Sequence, residues 1–330
     1  MNKKFKKEIK VIMRKAENKV HVEGRLYQHS LELKTVQNSQ SANFGKQFIA
    51  GNVDVATDED GINVIPVHFT YVTEETSKGE KNRTFAVLKQ IIDGAKTWLG
   101  SNKDEALKVK IDTALALNDF YTQDGTLISS KQIEGGFISI VNGELCPIDE
   151  RNTWEADMLI TGTNYVEADE ERNIKEDFLT LKGAIFNFRN ALLPVDFTVR
   201  NKDGMSYFES LEASPADPKY IRVWGKIFNK TIKIETQEES AFGEPVTKTT
   251  TRKEREWLLT GAKKALHDFG DESVLTADEV TKAIQDRNVM LADIKKRSDE
   301  YRASKEGTTA ATSVAKATPT AKAPAGGFTF

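Results

Sequence analysis

Cysteine is almost missing from this chain: the 330 residues hold one, Cys146. A single thiol excludes an internal disulfide and fits a reducing compartment. Set in Leu145-Cys146-Pro147, it reads as a packed or idle side chain rather than a nucleophile. The four histidines are His21, His29, His68 and His267. None has the i, i+4 pairing of a helical zinc site, and one cysteine cannot build a zinc knuckle. Asp58-Glu59-Asp60-Gly61 lacks the earlier acid of a calcium loop (Ala56) and its bidentate glutamate (Val67), so it reads as a turn. No metal site and no cofactor are expected.

Catalytic motifs are missing as well. Gly45-Lys46 is followed by Gln47 and has no upstream glycine, so it is not a phosphate-cradling loop, and no GxGxxG or GxSxG run occurs. Carboxylates are abundant without a distinguishable pair, so a non-catalytic protein is expected. No apolar run approaches the length of a membrane span. Residues 1–15 are basic, with Phe5, Ile9, Ile12 and Met13 spaced like a helix face; without a continuous apolar core this reads as a basic helix over 1–16, not a secretory signal. A cytoplasmic, membrane-free protein is expected. The net charge of −3 speaks against a generic polyanion binder.

Charge and aromatics are nevertheless concentrated in one place. From Lys219 to Lys233 the cations are Lys219, Arg222, Lys226, Lys230 and Lys233, with no acid between them. Read at the strand period of two, Ile221, Val223, Gly225 and Ile227 suit a core. Tyr220, Arg222, Trp224, Lys226, Phe228 and Lys230 occupy the other face. A face with three cations is not a buried one unless they are partnered, so folding alone does not account for its aromatics. Single-stranded nucleic acid does, because bases stack on rings while cations track phosphates. Next-but-one residues on a strand lie roughly 6.5–7 Å apart, comparable to one nucleotide step of a stretched single strand. The competing reading is a strand packed on both faces, with cationic stems running past the rings.

A repeat gives the organisation. Ile65-Pro66-Val67-His68-Phe69-Thr70 aligns with Leu193-Pro194-Val195-Asp196-Phe197-Thr198. Strand-like segments precede each (48–55 and 178–188), a helical segment follows each (84–98 and 205–211), and two strands close each unit (107–121 with 127–141, 220–235 with 246–260). This order is that of an OB-fold, a five-stranded Greek-key barrel with a helix between strands three and four. Gly24, Gly51, Gly183 and Gly225 interrupt strands where a closing sheet must bend, and Asp60-Gly61 and Asp124-Gly125 mark hairpin turns. In the first strand Val20, Val22 and Leu26 point inward, while Arg25 and Tyr27 again pair a cation with an aromatic outside. The expected architecture is mainly β: two OB-fold-like five-stranded barrels in tandem (17–150 and 151–262), a helical segment (263–302) and a disordered tail (303–330).

The helical segment opens with a capping box at Thr276-Ala277-Asp278-Glu279 and carries Val280, Ile284, Leu291 and Ile294 at helical spacing. The tail is rich in Ala, Thr, Lys, Ser, Gly and Pro and too poor in large aliphatics to fold. Its tip holds Phe328 and Phe330, two aromatics on a tether, which read either as a docking peptide for a partner protein or as a tail without one.

Trp224-Gly225-Lys226-Ile227-Phe228-Asn229-Lys230, followed by Glu238-Glu239-Ser240-Ala241-Phe242-Gly243-Glu244-Pro245, resembles single-stranded DNA-binding proteins carried by bacteriophages of Gram-positive hosts. So does the stretch from Gly51 to Gly61. The resemblance implies a replication or recombination accessory that coats single strands in the host cytoplasm. The tail departs from bacterial housekeeping relatives, which end in an acidic Pro-Phe tip, so a phage-encoded replication or recombination partner is implied instead. The expected contacts are stacking on Tyr220, Trp224, Phe228 and Tyr27, and phosphate contacts from Arg222, Lys226, Lys230 and Arg25. Phe186 and Phe188 beside Lys182, and Trp257 beside Lys253 and Arg255, read either as further platforms or as core. The alternative function is a structural or scaffold protein using its barrels for protein contacts. That reading requires large assemblies without DNA, whereas a strand binder requires a basic stripe along a groove between the barrels.

Overall fold

Inward alternation along β1 (Asn18–His29) buries Val20, Val22 and Leu26, and the same logic closes a ring around them. The computed structural model describes residues 16–172, 174–238, 242, 246–265 and 276–313. After β1 come the short β2 (Glu32–Thr35), β3 (Gln47–Ala56), β4 (Val64–Thr73), α1 (Arg83–Ile92), β5 (Lys108–Tyr121) and β6 (Leu127–Ile140). β1 pairs antiparallel with β3 and β5, β3 pairs with β4, β4 runs parallel to β6 at Val67↔Ile133, and β5 neighbours β6. The ring is closed.

The order then recurs as β7 (Asn152–Val166), β8 (Phe178–Phe186), β9 (Leu192–Val199), α2 (Lys202–Ser210), β10 (Lys219–Glu238) and β11 (Val246–Ala262). β7 pairs with β8 and β10, β8 with β9, β10 with β11, and β11 runs parallel to β9 at Leu258↔Thr198. Antiparallel pairing of β1 with β7, from Asn18↔Ala156 to Val22↔Asn152, joins both rings into one sheet of 11 strands. The mainly β, OB-like architecture is thus present, with each helix between the third and fourth strands of its ring. The expected inward positions of β10 are buried: Ile221 and Val223 fully, Ile227 nearly so. Burial of each such side chain stabilises by about 1.5–3 kcal/mol.

The helix expected over 84–98 stops at Ile92, because Gly94 takes φ +125°, outside the helical region. The chain then lies along β1: Trp98 N–H donates to Leu26 O (2.8 Å) and Leu99 N–H to Tyr27 O (3.2 Å). Asn82 and Asn201 cap α1 and α2 through their side chains.

The chain divides into two compact units, Met1–Asn118 with Ser130–Arg287 and Asp119–Ser129 with Asn288–Phe330. The first holds both rings, except the adjoining ends of β5 and β6, and the start of α3 (Ala277–Ser313). The capping box is formed: Thr276 N–H donates to Glu279 Oε2 (2.8 Å) and Glu279 N–H to Thr276 Oγ1 (3.2 Å). Val280 packs there as expected and Leu291 and Ile294 are partly buried, whereas Ile284 is exposed and Ala283 beside it is the fully buried residue. In the second unit Arg302 donates to the carbonyls of Tyr121 and Thr122 (3.1 and 2.7 Å). Helix continues to Ser313, beyond the expected start of the tail at 303. Alanines at 303, 310 and 311 favour helix and no proline intervenes before Pro319.

Candidate nucleic-acid interface

The outer face of β10 is shaped by two glycines. A Cβ on Gly225 would lie 1.9 Å from the Leu258 carbonyl oxygen, so no other residue permits β11 to approach this closely. The register shifts here, between Trp224 and Gly225. A Cβ on Gly261 would lie 2.5 Å from the Trp224 indole. The ring therefore rests on bare backbone, with 39% of the residue exposed. A groove of about 470 Å³ beside it has Lys19, His21 and Lys226 in its walls together with Asp149 and Glu155. Phe228 is half-buried and Lys230 exposed, with the ammonium 4.5 Å from the ring centroid. Trp224 and Phe228, four residues apart on one face, are separated by roughly 13 Å.

Three carboxylates beside this face are engaged with other cations, while Asp149 also lines the groove next to Trp224. Glu256, opposite Phe228, pairs with Arg200 at 2.7 Å. Glu254, opposite Lys230, lies 3.7 Å from Arg252, and Glu155 lies 3.6 Å from Arg222. Lys226 and Lys230 thus add positive charge next to two accessible rings.

Three of the expected contact residues are placed otherwise. Tyr220 is 5% exposed and packs with Leu159, Phe186 and Ala283. The first turns of α3 cover that end of the outer face, which a strand period cannot register. Arg222 donates from Nε and Nη2 to Asp157 (2.8 and 3.0 Å). That hydrogen bond raises the guanidinium pKa, and the pair clamps β10 to β7. Arg25 donates from Nη1 to Lys103 O (2.7 Å) and is mostly enclosed, with its Nε buried and unpartnered. Tyr27 remains half-exposed, its ring 6.1 Å from that of Trp98.

Phe186 is buried, and Trp257 joins a core stack with Trp154 and Phe197, the last two 4.1 Å apart. Core is therefore the outcome for both. Phe188 is exposed beside the Arg189 guanidinium (5.1 Å). Phe328 and Phe330 lie outside the described residues. Sequence reasoning missed Trp98, assigning it to the end of a helix; Gly94 was the signal that the helix stops earlier.

His21, Glu23 and Cys146 bring donor atoms within 4.8 Å of one another. His21 Nδ1 is already engaged, 2.7 Å from Asp112 Oδ1, and Glu23 Oε1 accepts from the Cys146 backbone N–H (2.6 Å). Burial, with Glu23 adding to it, pushes the thiol up to about 11, which keeps it protonated and unreactive at neutral pH.

The second ring is held against the first by asparagines. Asn229 N–H donates to Asn63 Oδ1 (2.7 Å), Asn229 Nδ2 to Val64 O (2.5 Å), and Thr231 N–H to Ile62 O (3.2 Å). Asn152 Nδ2 donates to Ile227 O (2.7 Å).

A family model described as YorF matches residues 16–297. No curated protein matches the chain. Among solved structures the chain is similar to a deletion variant of the single-stranded DNA binding protein from Thermus aquaticus. The identity is 14% and the TM-score 0.44, over 78% of this chain and 98% of that one.

Proposed function

We propose that this chain, which belongs to the YorF family, binds single-stranded DNA along the outer face of β10. The observation that carries the reading is the shared face of Trp224, Lys226, Phe228 and Lys230, with an exposed indole, a half-buried phenyl ring, and Glu155, Glu254 and Glu256 beside them paired with other cations. Bases stack on the rings at about 1–3 kcal/mol each, and the ammonium groups meet phosphates. Stacking is indifferent to base identity, so little sequence preference is expected. Tyr220, Arg222 and Arg25 leave the contact set, since core packing or ion pairing occupies them.

A role as a bacteriophage replication or recombination accessory, working in the host cytoplasm, is proposed with it on the sequence resemblance. Docking of a replication or recombination protein on Phe328 and Phe330 belongs to the same proposal. Among the described residues no helix is long and apolar enough to cross a membrane.

The test is fluorescence anisotropy of a labelled oligothymidine at low and moderate salt, with a duplex control. Tight binding to the single strand alone, tryptophan quenching, and a log–log salt slope of about −0.7 per phosphate contact are expected. Absence of binding at low salt refutes the reading, and large assemblies formed without DNA would favour a scaffold.

A further inference from the structure

The hairpin of β10 and β11 outruns its ring. β10 pairs with β7 only from Lys219 to Lys226 but stays paired with β11 out to Glu238. Beyond Ile227 the face that was core has no ring left to fill. It turns instead toward the first ring, where the asparagine contacts fix it. Between them lies a groove of about 810 Å³. Lys233, Lys253 and Arg255 line its hairpin wall and are all exposed. The opposite wall, from β1, β3 and the turn before β4, presents Tyr27, Ile62 and the carboxylates of Asp54 and Asp60.

We propose that this groove seats a second segment of single-stranded nucleic acid, its phosphates on the hairpin wall and its bases on the first-ring wall. The inference rests on the function proposed above and extends it to a surface on the other side of β10. The charge asymmetry selects the occupant. Lys253 and Arg255 are next-but-one neighbours, roughly 6.5–7 Å apart, so successive phosphates find successive cations. On the facing wall Tyr27 offers a ring to a base. Carboxylates there accept hydrogen bonds from exocyclic amino groups, as Asp and Glu do from cytosine N4. An acidic peptide would match the hairpin wall but would crowd its own carboxylates against Asp54 and Asp60 across a narrow groove. A nucleotide strand is anionic along one edge and hydrogen-bonding along the other, and both walls are satisfied.

The docking bonds also hold the groove open without ligand. Asn229 is held by Asn63 and Val64, and Arg255 Nε donates to Asn229 Oδ1 (3.2 Å). Its orientation is set before a phosphate arrives, which reduces the ordering cost of binding.

The test is the full chain with Lys233→Glu and Lys253→Glu combined, since neither side chain takes part in the docking bonds. Labelled oligodeoxycytidines of about 6 and 30 nucleotides, whose N4 amino groups can meet the facing carboxylates, are titrated, with melting curves as the fold control. The expected result is at least a tenfold loss of affinity for the long oligomer, and a salt slope shallower by about 0.7 per lost contact. Tryptophan quenching by the short oligomer should persist. A Lys233→Gln, Lys253→Gln variant should fall between, which separates lost attraction from introduced repulsion. Wild-type affinity and slope in the glutamate variant overturn the groove while leaving the β10 face intact. Failure of the unaltered chain to bind either oligomer overturns the underlying function instead. Loss of polyglutamate binding without loss of oligodeoxycytidine binding in these variants would also overturn the inference.

Discussion

Replacing Trp224 and Phe228 together by alanine probes the β10 face most directly. Stacking on two rings is worth about 2–6 kcal/mol at 1–3 kcal/mol per base. One correction is needed at Phe228, whose ring already carries the Lys230 ammonium at 4.5 Å. A base must displace that cation, giving up about 0.5–1 kcal/mol at an exposed site. The net loss is then roughly 1–5 kcal/mol, a rise in Kd of about fivefold to several thousandfold. The correction also orders the single variants, with Trp224→Ala costing more than Phe228→Ala. Stability should fall little, because the core stack is built from Trp154, Phe197 and Trp257 rather than from these rings. Anisotropy with oligothymidine reads the affinity and thermal melting reads the fold. An unchanged Kd in a double variant that melts like the parent would refute the assignment of this face.

Other perturbations test the frame that presents the site. Asp157 is buried whereas Arg222 is about a third exposed, so Arg222→Ala strands a buried carboxylate; urea unfolding should show a loss of about 2–3 kcal/mol, below the 3–5 kcal/mol of fully buried pairs, and a smaller loss for Asp157→Asn. Gly225→Ala drives a methyl into the Leu258 carbonyl at 1.9 Å and should cost about 1–3 kcal/mol, seen as a lower melting temperature with altered Trp224 fluorescence. Hydrogen bonds from Lys103 and then Arg151 hold the Glu59 carboxyl at about 2, below its ordinary value of 4.5. Its folded pKa is depressed, so its contribution is full above about pH 4.5 and is lost as the pH falls toward 2; Glu59→Gln should flatten that part of the acid-unfolding curve.

The ring architecture was legible because its causes are local and periodic. Val20, Val22 and Leu26 alternate, Pro66 and Pro194 mark equivalent strands, and Gly225 sits where two strands approach within contact of a Cβ. The capping box at Thr276 was equally readable, since both partners lie within four residues. What failed depended on distant chain. Tyr220 has the right parity for the outer face, yet Ala283 of α3 covers it. Arg222 has the right charge, yet Asp157 arrives from a strand some sixty residues earlier. Alternation reports which side a residue takes and carries no information about what later covers that side.

The same limit explains why the groove was invisible while its cations were in plain view. Along β10 one parity runs Ile221, Val223, Gly225, Ile227, then Asn229, Thr231 and Lys233. A reading by period assigns all of them to one face, and the structure agrees. The environment of that face changes at Ile227, where pairing with β7 has ended and the Asn63 contacts begin. Apolar side chains give way to an amide, a hydroxyl and a cation at the same point, and on β11 the change from Trp257 to Arg255 and Lys253 falls directly opposite. The switch in polarity without a switch in parity is therefore the sequence signature of a hairpin leaving its barrel. A strand that stayed in the ring would have to bury Lys233 and Arg255 without partners, at a cost no five-stranded barrel of this size could offset.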